Sequence, residues 1–312
     1  MYIHTINRRG YVHERADAPS QDSLHWVMRK GVAAMCLCDG AGSYVRAETG
    51  ARTLSRVLAR WMCARFSAFA AENDDRKLID EASAVITSCL DALRAKFGEH
   101  AEHAFASTAL CCAMNAATGD YIALHLGDGL MAGYIDGDFR ALTPVEPHKE
   151  GGADRSTLLS TVGRRFLRWG IRVSRGRADC ILLASDGAEG KLYSPGDNHV
   201  LSLGRRLLDG MRQVGPRYAQ ELLEKTAEAA LKSMDDLSVG LMIAGEYPTP
   251  EQLGWTRAEP DALRSRRLMK AFEVYARLRD DGMRPQQAAS HVHWGKNRKW
   301  KLEEAQRFLH VC

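Results

Sequence analysis

Three aspartates at the borders of buried, strand-like runs are the residues of this sequence best suited to carry out chemistry. Asp39 and Asp186 each come just after a short apolar run and precede a glycine, and Asp235 comes before the apolar run 237–244. Continuously apolar runs are typical of strands buried on both faces, so each carboxylate is expected at the rim of a sheet. One Asp-Gly step alone is usually a turn. Three such carboxylates together predict a site for hard divalent cations, Mg²⁺ or Mn²⁺.

The composition is that of a globular protein without a membrane segment. The 312 residues are 45% hydrophobic and 26% charged, which is ordinary for a globular chain. No apolar stretch approaches the roughly 20 residues of a membrane span. The polar start of the chain, with Arg8 and Arg9, has no apolar core of a signal peptide, so we expect a cytoplasmic protein. Five of the 8 cysteines lie in apolar runs and are expected in the core: Cys36, Cys38, Cys111, Cys112 and Cys180.

Long helices and antiparallel strands occur in groups along most of the chain. Apolar residues at helical spacing predict one helix over 45–69 and a second over 78–97. Turn residues between short apolar runs predict antiparallel hairpins from strands at 107–114, 121–127 and 130–135. This grouping favours an α+β sandwich of layers over a doubly wound sheet.

The segment 142–177 is irregular and basic. It contains the cluster Arg164, Arg165 and Arg168 between proline and glycine residues. A segment of this length without periodicity is usually functional or mobile. We interpret the cluster as part of a solvated flap, and a phosphate-binding role is the alternative.

Six short motifs follow one another along residues 1–246. They are Gln21-Asp22-Ser23, Asp39-Gly40-Ala41-Gly42, Ser107-Thr108-Ala109, Gly127-Asp128-Gly129, Ser185-Asp186-Gly187 and Asp235-Asp236-Leu237-Ser238-Val239. In order and approximate spacing they resemble the metal-dependent Ser/Thr protein phosphatases, the type-2C family, and its divergent bacterial branch in particular. Each motif is weak alone, but six in register are specific. The resemblance implies a four-layer α-β-β-α sandwich with two central antiparallel sheets.

The resemblance also implies two metal ions, Mn²⁺ or Mg²⁺, and a catalytic role for their ligands. Asp39 would bridge both ions, and the main-chain carbonyl of Gly40 would bind one of them. Asp186 and Asp235 would be the other direct protein ligands. Two cations lower the pKa of a shared water and neutralise the oxygens of a phosphoryl group. The implied activity is therefore hydrolysis of phosphoserine or phosphothreonine in proteins.

Two further aspartates of the motifs would act around this centre. Asp22 would hold a metal-bound water, although it could instead cap the end of a strand. Asp128 would bind a third, looser ion together with Asp186, although a Gly-Asp-Gly turn would accommodate it without any metal.

The sequence departs from the family pattern where the leaving group is protonated. The family often has histidine after the first Asp-Gly, and this chain has Ala41. Water could donate the proton instead, and His13 and His148 are the candidate side chains.

Two other positions also differ from the family. The phosphate-binding arginine is not in register, because that position is Asp17; Arg15 lies close enough to replace it. Asp236 stands where asparagine is usual, and it either adds negative charge to the site or points away. These departures motivate a competing hypothesis: a catalytically weak regulator or scaffold with the phosphatase fold that binds phosphorylated partners.

A basic helical extension is predicted at 247–312, after a phosphatase domain at 1–246. Pro248 and Pro250 mark the linker, and from Pro250 onward 13 Lys and Arg stand against 8 Asp and Glu. Two helices around a turn at 294–297 are compatible with a helix-turn-helix for nucleic acid. The charge is modest, however, which favours docking onto the phosphatase domain or onto a partner such as a cognate kinase.

A protein truncated after Glu246 is expected to fold and to hydrolyse p-nitrophenyl phosphate, because the extension is predicted to lie outside the catalytic domain. Circular dichroism and a phosphatase assay beside the full-length chain would measure this. A truncated protein that cannot fold would show that 247–312 is an integral part of the domain.

Overall fold

The computed structural model describes most of the first 200 residues and one later strand. The described positions are 1–42, 44–98, 104–136, 138–144, 167–168, 170–194, 199–200, 235–245, 274, 278, 283, 284, 287, 291 and 292. By the proximity of Cα atoms the chain divides into two compact units, Met1–Val200 with Glu224–Glu246 and Leu201–Leu223 with Tyr247–Cys312. The elements given below all belong to the first unit. The predicted domain boundary after residue 246 stays a prediction.

The helices and strands of the described residues follow one another in this order. They are β1 (Tyr2–Arg8), α1 (Tyr11–Arg15), β2 (Asp22–Arg29), β3 (Val32–Asp39), α2 (Ala47–Glu72), α3 (Asp75–Phe97), β4 (Ala109–Asn115), β5 (Asp120–Leu126), β6 (Leu130–Ile135), β7 (Asp138–Ala141), β8 (Arg172–Arg177), β9 (Cys180–Ala184), α4 (Asp186–Leu192), β10 (Tyr193–Ser194), β11 (His199–Val200) and β12 (Leu237–Ile243).

Two five-stranded antiparallel sheets form the centre of the fold. The first has the strand order β1-β12-β9-β6-β7, and the second has the order β2-β3-β4-β5-β8. All neighbouring strands in both sheets run antiparallel. The predicted α+β class with two antiparallel sheets is therefore confirmed. A further outer layer of helices and the helical extension were predicted over segments that lie outside the described residues.

Strand β3 shows why the two sheets and the helices pack as layers. Its residues from Ala33 to Cys38 are at most 1% exposed, so both faces are buried. Met35 and Leu37 point into the core between the sheets, where they join Leu183 of β9 and Met242 of β12. Cys36 and Cys38 alternate with them and face the core under α2 and α3. The predicted core cysteines are all buried.

The two long helices cover the outer face of the second sheet. Both begin or end a few residues outside the predicted spans 45–69 and 78–97. Helix α2 ends where Asn73 adopts a left-handed conformation with φ of 49°, a common way to stop a helix. The side chain of Asp74 then caps α3 by accepting from the main-chain N–H groups of Arg76 and Lys77. None of the helices in the described part of the chain is both long and apolar enough to cross a membrane.

The predicted hairpin between 121–127 and 130–135 is wrong. Strand β5 pairs with β4 and β8, whereas β6 pairs with β7 and β9 in the other sheet. The chain therefore crosses from one sheet to the other at Gly127-Asp128-Gly129. Both glycines have φ of +94°, a region that L-residues with side chains rarely enter. The sharp crossing explains why a motif that looked like a hairpin turn is a connection between layers.

Candidate active site

Asp39 is fixed by hydrogen bonds of its own main chain. Its N–H donates to Thr108 Oγ1 at 2.9 Å, and the N–H of Thr108 donates back to the Asp39 carbonyl at 2.8 Å. Asp22, the first residue of β2, is paired with Asp39 in the sheet register. The next residue, Gly40, packs so tightly that an added Cβ would lie 2.6 Å from the carbonyl carbon of Ala47. These contacts hold both predicted carboxylates at one edge of the second sheet.

Asp186 and Asp235 are brought together by the adjacent strands β9 and β12. The N–H of Ser238 donates to Ser185 Oγ at 2.9 Å, and the N–H of Ser185 donates to the Ser238 carbonyl at 3.0 Å. Gly187, in the first turn of α4, is so close to the chain after Asp235 that an added Cβ would lie 2.0 Å from the Asp236 carbonyl oxygen. Glycine is therefore needed for α4 to begin beside Asp235.

Asp128 reaches the same region because the crossing turn lies against the end of β9. An added Cβ on Gly129 would be 2.9 Å from the Ala184 carbonyl oxygen, and Leu130 pairs with Ala184 in the first sheet. Asp186 follows Ala184 by only two residues. The motif therefore places Asp128 close enough to Asp186 for its charge to raise the pKa of that residue.

The predicted carboxylates act on one another electrostatically. Burial raises the pKa of Asp39 well above its usual range, and the charges of Asp22, Asp186, Asp128 and Asp235 raise it further. Each of these side chains is thus close enough to disfavour the ionised form of Asp39. The structure brings all five together.

The pKa values of Asp22 and Asp186 are raised for the same reasons. Burial raises the pKa of Asp22 to about 7, with the charges of Asp186 and Asp236 adding to it and the hydroxyls of Ser185 and Ser238 only partly opposing it. For Asp186, burial and then the charges of Asp235 and Asp128 raise the pKa to about 6. Such a cluster is unfavourable without compensating positive charge.

The oxygen-only donor set fits hard divalent cations. Both carboxylate oxygens of Asp22 are buried, and within the described ranges neither has a hydrogen-bond partner of good geometry. Among the described residues, no three His, Cys, Asp or Glu side chains are arranged to hold one ion by themselves. An ion here would therefore complete its shell with water and main-chain oxygens, as Mg²⁺ commonly does.

Asp236 has a different role from its neighbour Asp235. It is 2% exposed, and its carboxylate accepts from the N–H of Gly10 and from the N–H of Gln21, both at 2.6 Å. His13 Nδ1 lies 3.0 Å from the same side chain. Asp236 therefore ties the start of α1 and the start of β2 to β12. The sequence left open whether it adds charge to the site or points away. Its charge raises the pKa of Asp22, and its hydrogen bonds also give it a positioning role.

The remaining predicted residues lie at the margin of this cluster or outside the description. Arg15 is exposed at the end of α1, with its guanidinium carbon 5.7 Å from the centre of the Tyr11 ring. Arg168 pairs with Asp80 of α3 at 3.1 Å, so it belongs to the surface of the helical layer. His148, Arg164 and Arg165 lie outside the described residues.

Comparisons with known proteins agree with this fold. A sequence model of the family described as protein phosphatase 2C matches residues 9–232. A bacterial serine phosphatase of known structure has a TM-score of 0.52 and 15% identity, over 78% of this chain and 98% of its own. PppA, described as a key regulatory component of T6SS in Pseudomonas aeruginosa, has a TM-score of 0.51 and 13% identity, over 77% and 96%.

A protein from an animal is also similar in structure. A sex determining protein of C.elegans has a TM-score of 0.54 and 16% identity, over 82% of this chain and 68% of its own. At such low identities these structures show the fold alone. The comparison with curated proteins gave no significant match.

Without added metal, the protein is expected to lose stability as the pH increases from about 4 to about 7. In the folded protein Asp186 and Asp22 hold their protons up to a pKa of about 6 and about 7, whereas in an unfolded chain aspartate loses its proton near pH 4. The folded state then binds more protons than the unfolded state, so the free energy of unfolding falls with increasing pH. Thermal melts in chelator across this range would measure the decrease.

Matched variants separate this effect from ordinary titration. Asp22→Asn should weaken the pH dependence, because it removes a carboxyl group whose pKa is raised to about 7, whereas Asp120→Asn at the exposed start of β5 should not. Identical slopes for wild type and Asp22→Asn would contradict the interpretation. Added Mg²⁺ should abolish the decrease.

Asp236→Asn is expected to destabilise the protein, although the amide is nearly the same size. An amide has one acceptor oxygen, so one of the N–H groups of Gly10 and Gln21 would face the NH₂ group and remain buried without a partner. Such a loss costs roughly 1–3 kcal/mol. Chemical denaturation would measure it against Asp120→Asn, and equal stability of the two variants would show that these hydrogen bonds do not hold the three segments together.

Proposed function

Since the chain belongs to the protein phosphatase 2C family, we propose that it is a metal-dependent phosphatase that hydrolyses phosphoserine and phosphothreonine in proteins. The observation that carries this proposal is the convergence of the carboxylates of Asp39, Asp186, Asp235, Asp128 and Asp22. So much negative charge is unfavourable without cations, and an anionic phosphate group could not approach it unless cations were present.

We propose for the carboxylates the roles that the resemblance of their motifs implies. Asp39, Asp186 and Asp235, with the main-chain carbonyl of Gly40, would hold two Mg²⁺ or Mn²⁺ ions, and Asp128 with Asp186 would hold a third more loosely. Such ions lower the pKa of water and neutralise the oxygens of a phosphoryl group. The buried oxygens of Asp22 would orient water beside the ions, since they lack a good partner among the described residues.

Arg15 is proposed to bind the phosphate group of the substrate. The residue before α1, Gly10, packs so closely against the main chain of Asp235 that an added Cβ would lie 2.3 Å from its carbonyl carbon. This contact anchors the start of α1 next to the carboxylates. Arg15 is exposed on the same short helix, and a guanidinium offers the planar set of donors that suits phosphate.

The proton for the leaving group would come from water or from His13. Ala41 has no group that could donate it. His13 lies on α1, and its Nδ1 is 3.0 Å from the carboxylate of Asp236, the residue next to Asp235.

A second candidate function is that of a catalytically weak regulator that binds phosphorylated partners, with the extension 247–312 binding a partner such as a cognate kinase. Ala41 favours it, because the chain lacks a side-chain acid at this position. A protein that binds a phosphothreonine peptide in the presence of Mn²⁺ but does not hydrolyse it would support this candidate. The cytoplasmic location and a nucleic-acid role of the extension stay predictions.

Asp39→Asn is expected to lower phosphatase activity by several orders of magnitude while the fold is retained, because it removes the carboxylate proposed to bridge two ions. Turnover of a phosphothreonine peptide and of p-nitrophenyl phosphate would be measured with Mn²⁺, with Mg²⁺ and with chelator. Asp120→Asn serves as the matched control and should keep wild-type turnover.

Asp128→Asn provides a graded comparison in the same assay. It should lower turnover but retain two tightly bound ions by elemental analysis, whereas Asp39→Asn should lose them. Wild-type turnover of Asp39→Asn with Mn²⁺ would overturn the proposed site, and full wild-type turnover in chelator would overturn metal dependence.

A further inference from the structure

We propose that Arg172 is a positioning residue for Asp128: it fixes the peptide bond that presents this carboxylate to the loosely held ion. The inference rests on the proposed function, since it concerns a ligand of the proposed metal centre. It assigns a role to a side chain that lies on β8, outside the six motifs.

Arg172 bridges the crossing turn and the chain that follows β7. One terminal nitrogen donates to the Gly127 carbonyl at 2.5 Å, and the other donates to the Pro144 carbonyl at 2.9 Å. The Gly127 carbonyl belongs to the same planar peptide unit as the N–H of Asp128. Holding that carbonyl therefore sets the direction in which Asp128 leaves the turn.

The turn needs such a restraint from outside. Gly127 and Gly129 both have φ of +94°, and glycine has the largest conformational freedom of all residues. Thr108 restrains Gly127 on one side, where an added Cβ would lie 2.8 Å from its methyl group. Arg172 restrains the carbonyl oxygen of the same residue. Together they link the turn to Thr108, the residue that also holds Asp39.

A buried histidine supports the same assembly from below. His125 pairs with Arg172 in the register of β5 and β8, is fully buried, and has its Nδ1 2.5 Å from Thr143 Oγ1. Burial, and then the charge of Arg172, lower the pKa of His125 to about 3. The ring is thus neutral, and the guanidinium is the charged donor of this group. Thr143 and Pro144 are adjacent, so the contact of His125 with Thr143 and that of Arg172 with Pro144 fix the same short segment after β7.

Arg175 provides a matched control, which tests whether the loss of any arginine from β8 has the same effect. It also donates to a main-chain carbonyl, that of Phe69 at 2.7 Å, and pairs with Asp75. These partners belong to α2 and α3. Arg175→Gln therefore removes a similar set of interactions from the same strand without touching the crossing turn.

Binding of Mn²⁺ to the full-length protein tests the proposal directly, with free Mn²⁺ measured by electron paramagnetic resonance. Arg172→Gln is expected to weaken the loosest binding step about tenfold, the scale of losing a group that orients a ligand. The tighter ions and the affinity of Arg175→Gln should be unchanged. In an Asp128→Asn background, Arg172→Gln should have no further effect, because the two residues act as one unit.

A second measurement does not depend on metal. In chelator, hydrogen exchange at the amides of residues 127–129 should be faster in Arg172→Gln than in wild type or Arg175→Gln. If Arg172→Gln does not fold, Arg172→Lys replaces it; this variant keeps the charge and one donor and should still weaken the loosest step measurably relative to wild type, while Arg175→Gln does not.

The outcomes are distinguishable. Unchanged Mn²⁺ binding and exchange in Arg172→Gln, or an equal effect of Arg175→Gln, would overturn this inference while the proposed function stands. An undiminished effect in the Asp128→Asn background would overturn it as well. A wild-type protein that binds no Mn²⁺ would overturn the proposed function, and this inference with it.

Discussion

The described fold has to hold several mutually repelling carboxylates close together, and this is its main constraint. They belong to Asp22, Asp39, Asp128, Asp186 and Asp235. Acidic side chains avoid one another unless the main chain leaves them no other place. Here each of them lies at the end of a strand or in a turn whose main chain is fixed by hydrogen bonds. Thr108 fixes Asp39, and the hydrogen bonds between Ser185 and Ser238 fix the chain before Asp186. The close approach at Gly187 fixes the main chain at Asp235 and Asp236 against the start of α4. The sheets thus gather at one edge a negative charge that bound cations would balance.

Asp236 shows how donors decide the role of a carboxylate. It lies beside Asp235 and is deeply buried, yet its oxygens are satisfied by two main-chain N–H groups and approached by His13. Asp22, equally buried, has the hydroxyls of Ser185 and Ser238 near it, but neither makes a hydrogen bond of good geometry. An aspartate therefore holds main-chain segments together at position 236, whereas at position 22 its oxygens remain available as acceptors. The difference arises from what the neighbouring main chain offers.

The sequence predicted the α+β class with two antiparallel sheets, and for a physical reason. Runs such as 33–38 are apolar at every position, which is typical of a strand covered on both faces, and the resemblance of the motifs to a known family implied that their aspartates share one site. The hairpin at Asp128 was wrong because a turn residue does not reveal which sheet its next strand joins. The roles of Thr108, Asp236 and Arg172 depend on main-chain hydrogen bonds between distant segments. One local feature of the sequence did point to buried polar contacts beside Arg172. It is His125, a polar residue inside the apolar run of β5.

The crossing at Gly127-Asp128-Gly129 makes the acidic site a covalent joint between the two halves of the sandwich. Packed sheets resist compression but slide past one another by small shear movements. Such sliding would strain this connection, as it would the short connection between β8 and β9, because β5 and β8 lie in one sheet and β6 and β9 in the other. Asp128 lies within such a connection, whereas Asp39 ends a strand of a single sheet. A displacement of one sheet relative to the other would therefore move Asp128 relative to the carboxylates at the ends of single strands.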